Sequence, residues 1–489
     1  MQAVAKPQPH RRRDLETTSL PSTVRTILLT FGACFTRPSF ENFGTLVTGW
    51  IMCIGRHSIS RVIQAGQGTK RKKHHSALYR FFSRARWITD SIGHALLDLL
   101  MPWLPHLILA LVDDTLSRRS GPHIFGAGMH HDGARSSYGH GTTTGGHVSF
   151  SFGHSWVVLA LWVPLPWNPD RGIAVPILFR LYRPKKRCPE GKYRKRTELA
   201  AELLTILASW LPADRPLEVV GDAEYACRTV VRRLMPDVTF TGPMSMNAAL
   251  FDLPGPYQGR GRRRLKGTRL PTPKALAEDQ SVPWRKVKAY IYGKKVSILV
   301  KQQRCLWYSV AKNRPLRMIV TRDPSGKMFG DRAFFCTDAR RPAHEILKTF
   351  ARRWELEVSF RNVKQSMGLE EPQNGWWRRK AGTPTPPRKH GPNPHARRGE
   401  IAVRHTVPIA FVAYAIVVAW YFTNGRCDQD VGRVRRAAPW YRHKEMPSFI
   451  DMLAAIRREI WTFRLSARPA MKRTPLKIRD LLPAWLLAS

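Results

Sequence analysis

The sequence predicts an α/β protein, and three stretches carry that expectation. Leu107 to Val112 is an unbroken apolar run that stops at Asp113-Asp114-Thr115, the pattern of a central strand buried on both faces. Leu217 to Gly221 repeats it and stops at Asp222. Ahead of that run lies a helical pattern, with Thr197 as cap, Glu198 in the first turn, and Leu199, Leu203, Ile206 and Leu207 at helical intervals. The third stretch is a hairpin pattern: Val287, Ala289 and Ile291 alternate, Gly293 turns the chain, and Val296, Ile298 and Val300 alternate back.

The remaining elements follow in order. Trp156–Val163 and Ile173–Leu181 read as further strands, as does the short Val238–Phe240 after a helix from about Ala223. Leu306–Val310 and Leu316–Val320 add strands to the hairpin region. One long helix is expected from Ala343 to Met367. Gln373–Gly399, with five prolines, seven Lys or Arg and no acid, reads as a loop. A Val403–Phe422 helix and a basic helical tail close the chain. The apolar run Val407–Phe422 is shorter than the roughly 20 residues of a membrane span, and a buried helix is expected there. The organisation is thus a helical, basic region over 1–95, an α/β core in two parts over 96–243 and 341–425, a β-rich insertion over 244–340, and a basic helical region over 426–489.

The 489 residues carry 81 Lys and Arg against 35 Asp and Glu, a net charge of +46. A charge of that size repels itself unless a polyanion lies against it, which makes nucleic acid the expected partner and a membrane surface the weaker one. The cations cluster: from Glu41 to Asp90 there is no acid, while Arg56, Arg61, Lys70, Arg71, Lys72, Lys73, Arg80, Arg84 and Arg86 accumulate among short helical patterns. That stretch has the texture of a small helical DNA-binding unit. Seven scattered cysteines form no C-x-x-C pair, so neither a disulfide framework nor a zinc ribbon is indicated. The polar, Arg-rich N-terminus lacks the apolar core of a signal peptide, and a cytoplasmic, nucleoid-associated protein is expected. The histidines near the Gly-rich loop (His130, His131, His140, His147, His154) match no closed zinc pattern.

Chemistry is expected where strands end in acids. Carboxyl ends of strands in α/β sheets collect ligands and metals, although a lone Asp there more often caps the next turn. Asp113 and Asp114 compete for the first position, and spacing does not separate them. On a helix spanning 350–365, Phe350, Arg353, Trp354, Arg361 and Lys364 all fall within about 60° of Glu357. Salt bridges Arg353–Glu357–Arg361 explain the charges of that face. A phosphate clamp with stacking rings around one carboxylate explains the aromatics as well. Three carboxylates from two strands and a helix suit hard cations such as Mg²⁺ or Mn²⁺.

Phe350-x2-Arg353-x3-Glu357-x6-Lys364 resembles the Y-x2-R-x3-E-x6-K signature of DDE transposases of the insertion-sequence-four type, with Phe in place of Tyr. Val-Asp113-Asp114-Thr115 and Val-Gly221-Asp222-Ala-Glu224-Tyr225 resemble the two aspartate-bearing strand ends of that family. The resemblance spans about residues 75–425. It implies an RNase-H-like, retroviral-integrase-like core and a catalytic, metal-binding triad of Asp114, Asp222 and Glu357. The triad would hold Mg²⁺, with Mn²⁺ able to substitute, as two ions. Phe350, Arg353, Trp354, Arg361 and Lys364 would meet the DNA end, with Arg353 and Lys364 on phosphates and Trp354 against a displaced base. The activity implied is metal-dependent cleavage at terminal inverted repeats and strand transfer into target DNA by a homodimer. Two other readings share these features: a transposase-derived DNA-binding protein that does not cut, and an RNase-H-like nuclease.

Overall fold

The computed structural model describes residues 20–67, 73–120, 124–136, 147–257, 259, 262–326, 330–372 and 397–466. The chain separates into two compact units. Among the described residues, a helical unit takes those up to Pro102, within Arg119–Phe125 and from Asn362 on, and a sheet unit takes those within Trp103–Arg118 and Gly126–Arg361. Of the expected second core segment, residues 341–361 group with the sheet and the described residues from Asn362 with the helices.

The helical unit opens with α1 (Ser22–Leu29), α2 (Arg37–Met52), α3 (Ile59–Gly66), α4 (His75–Ser83) and α5 (Thr89–Leu100). Two glycines set the crossing of α2 and α3. A Cβ on Gly49 would stand 2.0 Å from the Val62 carbonyl, and one on Gly66 would stand 2.1 Å from that of Thr45. Only residues without side chains let these backbones touch. Phe31, Phe35, Phe43, Phe81 and Trp87 fill the space among these helices.

In the sheet unit, β1 (Ile108–Arg118) starts with the apolar run but does not stop at the acids, running on through Asp113 and Asp114 to Arg118, and Ile108 to Val112 are all 3% exposed or less. Each Ile, Leu or Val among them contributes roughly 1.5–3 kcal/mol on burial. The strands β2 (Gly128–His131), β3 (Phe150–Leu165) and β4 (Asn168–Tyr182) precede α6 (Arg196–Trp210). Next come β5 (Leu217–Gly221), the short α7 (Arg228–Val231) and β6 (Thr239–Met244). The helix expected from Ala223 starts later because the Asp222 carboxylate accepts the backbone N–H groups of Glu224 and Tyr225, turning the chain before a helix forms.

A two-stranded ribbon, β7 (Leu250–Phe251) with β8 (Arg269–Leu270), and α8 (Pro273–Glu278) lead to β9 (Arg285–Ile291) and β10 (Lys294–Cys305). The predicted hairpin turns at Tyr292 and Gly293, both at positive φ (50° and 80°), as a tight primed turn requires. Leu306–Val310 does not form the expected strand. Leu306 makes one bridge to Phe251, and the chain then winds into α9 (Tyr308–Ala311). β11 (Leu316–Arg322) and β12 (Arg332–Cys336) complete the sheet.

The strand order is β2-β3-β1-β5-β6-β12-β11-β10-β9, with β4 also paired to β3. β4, β3 and β1 run antiparallel, and β1, β5 and β6 run parallel. β12 pairs antiparallel with β6 from Ala333↔Met244 to Cys336↔Thr241, so the strands of the expected insertion extend the central sheet. At this seam Glu218 of β5 is 1% exposed and is held by Arg341 and the Thr241 hydroxyl.

The single long helix expected from Ala343 is two helices, α10 (Ala343–Ala351) and α11 (Trp354–Ser366). Between them Arg353, Glu355 and Leu356 bond three residues back rather than four, a tightened turn that rotates one helix against the other. Beyond it, α12 (Arg397–Asn424), α13 (Cys427–Ala437) and α14 (Phe449–Ser466) return to the helical unit. Among the described residues, the segment Gly399–Asn424 alone is long and apolar enough to cross a membrane, and 89% of its most apolar stretch is buried inside the protein.

Candidate functional site

Successive side chains on a strand point to opposite faces, and β1 uses this to separate its two acids. Asp113 accepts a 2.7 Å bond from Arg353 Nη1, while Nη2 of the same guanidinium donates to Glu357 Oε1 at 2.6 Å. One arginine in the tight turn thus joins the strand to the first turn of α11. Burial pushes the Asp113 carboxyl up to about 8. Arg353 opposes that rise, and neighbouring Asp222 and Asp114 reinforce it. Asp222, at the end of the adjacent parallel strand, is likewise raised by burial and held back by the N–H of Tyr225 and by Arg353. Asp113, Asp222 and Glu357 all act on the charge of Arg353.

Asp114 has different hydrogen-bond partners, although its charge also raises the Asp222 carboxyl. It accepts from the Ser155 hydroxyl at 3.1 Å and the Tyr225 hydroxyl at 3.2 Å, and Arg196 Nε stands 3.5 Å away. Arg196 also donates to Ser155 and Glu224 and lies 4.7 Å above the ring of Tyr182. Tyr225 is fully buried, and its hydroxyl is pushed well above its ordinary range by burial and by the acids around it. The geometry brings Asp113, rather than the expected Asp114, to Arg353 and Glu357.

The other expected site residues divide. The break between α10 and α11 puts Phe350 on the earlier helix. Its ring packs 4.7 Å from Phe334, against a core of Ile298, Val300, Ile319 and Ile346. It is partly buried against that core, with Arg353 5.9 Å above its ring, and it lies on the helix before the one that carries Glu357. Trp354 begins α11, 46% exposed, with Tyr292 edge-on at 6.1 Å. Arg361 is exposed and acts on Glu355, and Lys364 follows seven residues after Glu357 on the same helix. Of the N-terminal cluster, Lys70, Arg71 and Lys72 lie outside the described residues. Lys73 donates to Glu41 at 2.7 Å and Asn42 at 3.1 Å, while Arg56, Arg61, Arg80, Arg84 and Arg86 are exposed. Arg196 and Ser155 were not expected at the site. No spacing marked Arg196, which was buried in a run of cations before a helix.

The donor atoms around Arg353 are carboxylate oxygens, the ligands that hard divalent cations prefer. Among the described residues, no three His, Cys, Asp or Glu side chains are grouped closely enough to hold a metal ion. Between Asp113 and Glu357 the positive charge is that of Arg353. The carboxylates thus supply oxygen donors of the kind such cations take, and their charge is balanced by the Arg353 guanidinium.

Residues 30–308 match the family model described as DDE superfamily endonuclease, which covers more than half of the chain. The protein belongs to that superfamily, whose endonucleases generally use divalent metals. A second model, described as archaeal putative transposase ISC1217, matches residues 308–384 and includes Arg353 and Glu357. The two matches together support a nuclease of the transposase kind, with DNA as its partner. A search of curated proteins finds no match.

Proposed function

We propose that the protein is a DNA transposase of the insertion-sequence-four type, cleaving DNA at the terminal inverted repeats of its element and joining the freed ends to a target. The observation that carries this reading is the bridge from Asp113 through Arg353 to Glu357, with Asp222 acting on the same guanidinium. An RNase-H-like core is supported by three antiparallel strands followed by two parallel ones, with Asp113 and Asp114 midway along β1 and Asp222 just past the end of β5.

The proposed metal ligands are Asp113, Asp222 and Glu357, with Asp113 replacing Asp114 because only Asp113 shares a partner with Glu357. Mg²⁺ or Mn²⁺ bound there would activate water or a 3′-hydroxyl and neutralise charge on the phosphate. Arg353 holds the acidic side chains in place, and Arg361 and Lys364 offer cations along α11 for DNA phosphates. Trp354, half-exposed at the helix start, offers a ring for a displaced base. Asp114, fixed by Ser155, Tyr225 and Arg196, supports β1 from its other face.

The test is incubation of the protein and Mg²⁺ with a plasmid carrying the inverted repeats that flank its reading frame. Divalent-dependent nicks at those repeats and joined products are expected. Binding without nicking would favour a DNA-binding derivative, and preferential cutting of RNA–DNA hybrids would favour a nuclease of another kind.

A further inference from the structure

A second feature lies in the helical unit, in the turn after α13. From Val431 to Lys444 the chain has no acid and carries Arg433, Arg435, Arg436, Arg442 and Lys444, with His443 beside them. At the tip of this segment stand Trp440, 77% exposed, and Tyr441, 56% exposed, with ring centroids 6.4 Å apart.

The turn is built to hold these rings outward. Arg435 Nε donates to the Lys444 carbonyl at 2.8 Å, closing the segment. Tyr441 N bonds the Ala438 carbonyl at 2.9 Å, and Lys444 N bonds that of Tyr441 at 2.9 Å. Lys444 is anchored in turn to Asp451 at 2.7 Å. Arg433 also lines an open groove of about 870 Å³ together with Arg426, Gln429 and Arg458. The acids in its wall are engaged: Asp430 by Arg458 and Tyr421, and Glu459 by Thr23.

We propose that this turn is a second DNA-contacting surface, on which Trp440 stacks against a base exposed at an unpaired or strongly bent step while the surrounding arginines hold the backbone. Exposed aromatic rings ringed by cations suit nucleic acid because every base offers a π-face and every step a phosphate. A fixed turn also presents the rings without the ordering penalty of a loose loop.

The experiment measures binding of the full chain, in EDTA, to a labelled duplex and to the same duplex with a short central bubble. The parent should prefer the bubble. Trp440→Ala should weaken bubble binding about five- to 150-fold, the range for losing one base stack, and abolish the preference. Trp440→Phe should retain most of it, and Arg433→Ala/Arg436→Ala should weaken both duplexes alike and flatten the salt dependence. Parental bubble binding by Trp440→Ala would overturn the proposal. So would an equal loss on both duplexes, or a loss matched by a lower melting temperature. Loss of binding to anionic vesicles with DNA binding intact would assign the turn to a membrane surface instead. Because no cleavage is read, a chain that fails to nick DNA but shows this pattern removes the transposase reading and leaves this one standing.

Discussion

Asp113 and Asp114 are consecutive residues on β1, yet one bonds to Arg353 and the other to Ser155 and Tyr225. The pleat of a single strand thus gives two adjacent carboxylates different bonding partners. Asp113→Asn should lower divalent-dependent nicking by roughly a thousandfold, the equivalent of about 4 kcal/mol of lost charge stabilisation. Asp114→Asn should lower it about tenfold, the scale of one or two hydrogen bonds. Single-turnover nicking of end-bearing DNA ranks the two, and the reverse order would reassign the first carboxylate.

Arg353 balances two acids at once, so its removal should be felt before any DNA is added. Arg353→Ala should destabilise the metal-free protein by about 3 kcal/mol, the scale for leaving half-buried charges unpaired. Mg²⁺ or Mn²⁺ should raise the melting temperature of this variant more than that of the parent, since the ion would replace a missing charge. Melting curves with and without the ion decide it. Equal shifts would mean that the ion does not bind among these carboxylates.

Phe350 and Trp354 should part company. Phe350→Ala should cost up to about 3 kcal/mol of stability through the cavity left beside Phe334. Trp354→Ala should leave stability within about 1 kcal/mol and weaken end binding instead. Urea unfolding and DNA titration on the same preparations separate the two effects.

His405 makes the helical unit sensitive to acid. Its ring stacks 3.7 Å from Trp87, its Nδ1–H donates to the Phe82 carbonyl, and burial lowers its pKa to about 4. The unfolded chain takes up this proton near 6.5, the folded chain only near 4. The stabilisation is therefore complete above about pH 6.5 and falls as the pH drops to 4, by about 3 kcal/mol. Unfolding of His405→Phe across this range should show a shallower decline than the parent.

Glu218 and Arg341 form the buried pair at the seam of β5, β6 and β12. Arg341→Met should cost about 3–5 kcal/mol because it strands a buried carboxylate. The double variant Glu218→Leu/Arg341→Met should recover most of that loss. Denaturant midpoints of the three proteins test the pairing.

Strands whose pattern is purely apolar were legible in the sequence: β1, β3, β4 and β5 fall where the runs of Val, Leu and Ile place them. The β9–β10 hairpin was equally plain, because alternation and Gly293 agree. Illegible features depend on a few backbone bonds. Nothing in the periodicity of 343–367 announces the tight turn at Arg352–Arg353, yet that turn puts Phe350 and Glu357 on two different helices. The separation of Asp113 from Asp114 was likewise hidden, since alternation says that the two differ in face without saying which face holds Glu357. Lys73 counted as one more cation until its pairing with Glu41, thirty-two positions earlier in the chain, came into view.

The pairing of β6 with β12 makes residues 285–336 structurally continuous with the strands that bear Asp113 and Asp222. Excising them in pursuit of a minimal nuclease would bare the backbone donors and acceptors of Thr241–Met244 along a new open edge, a template on which other chains assemble. Such a truncated protein would lose solubility through aggregation before its chemistry could be assayed.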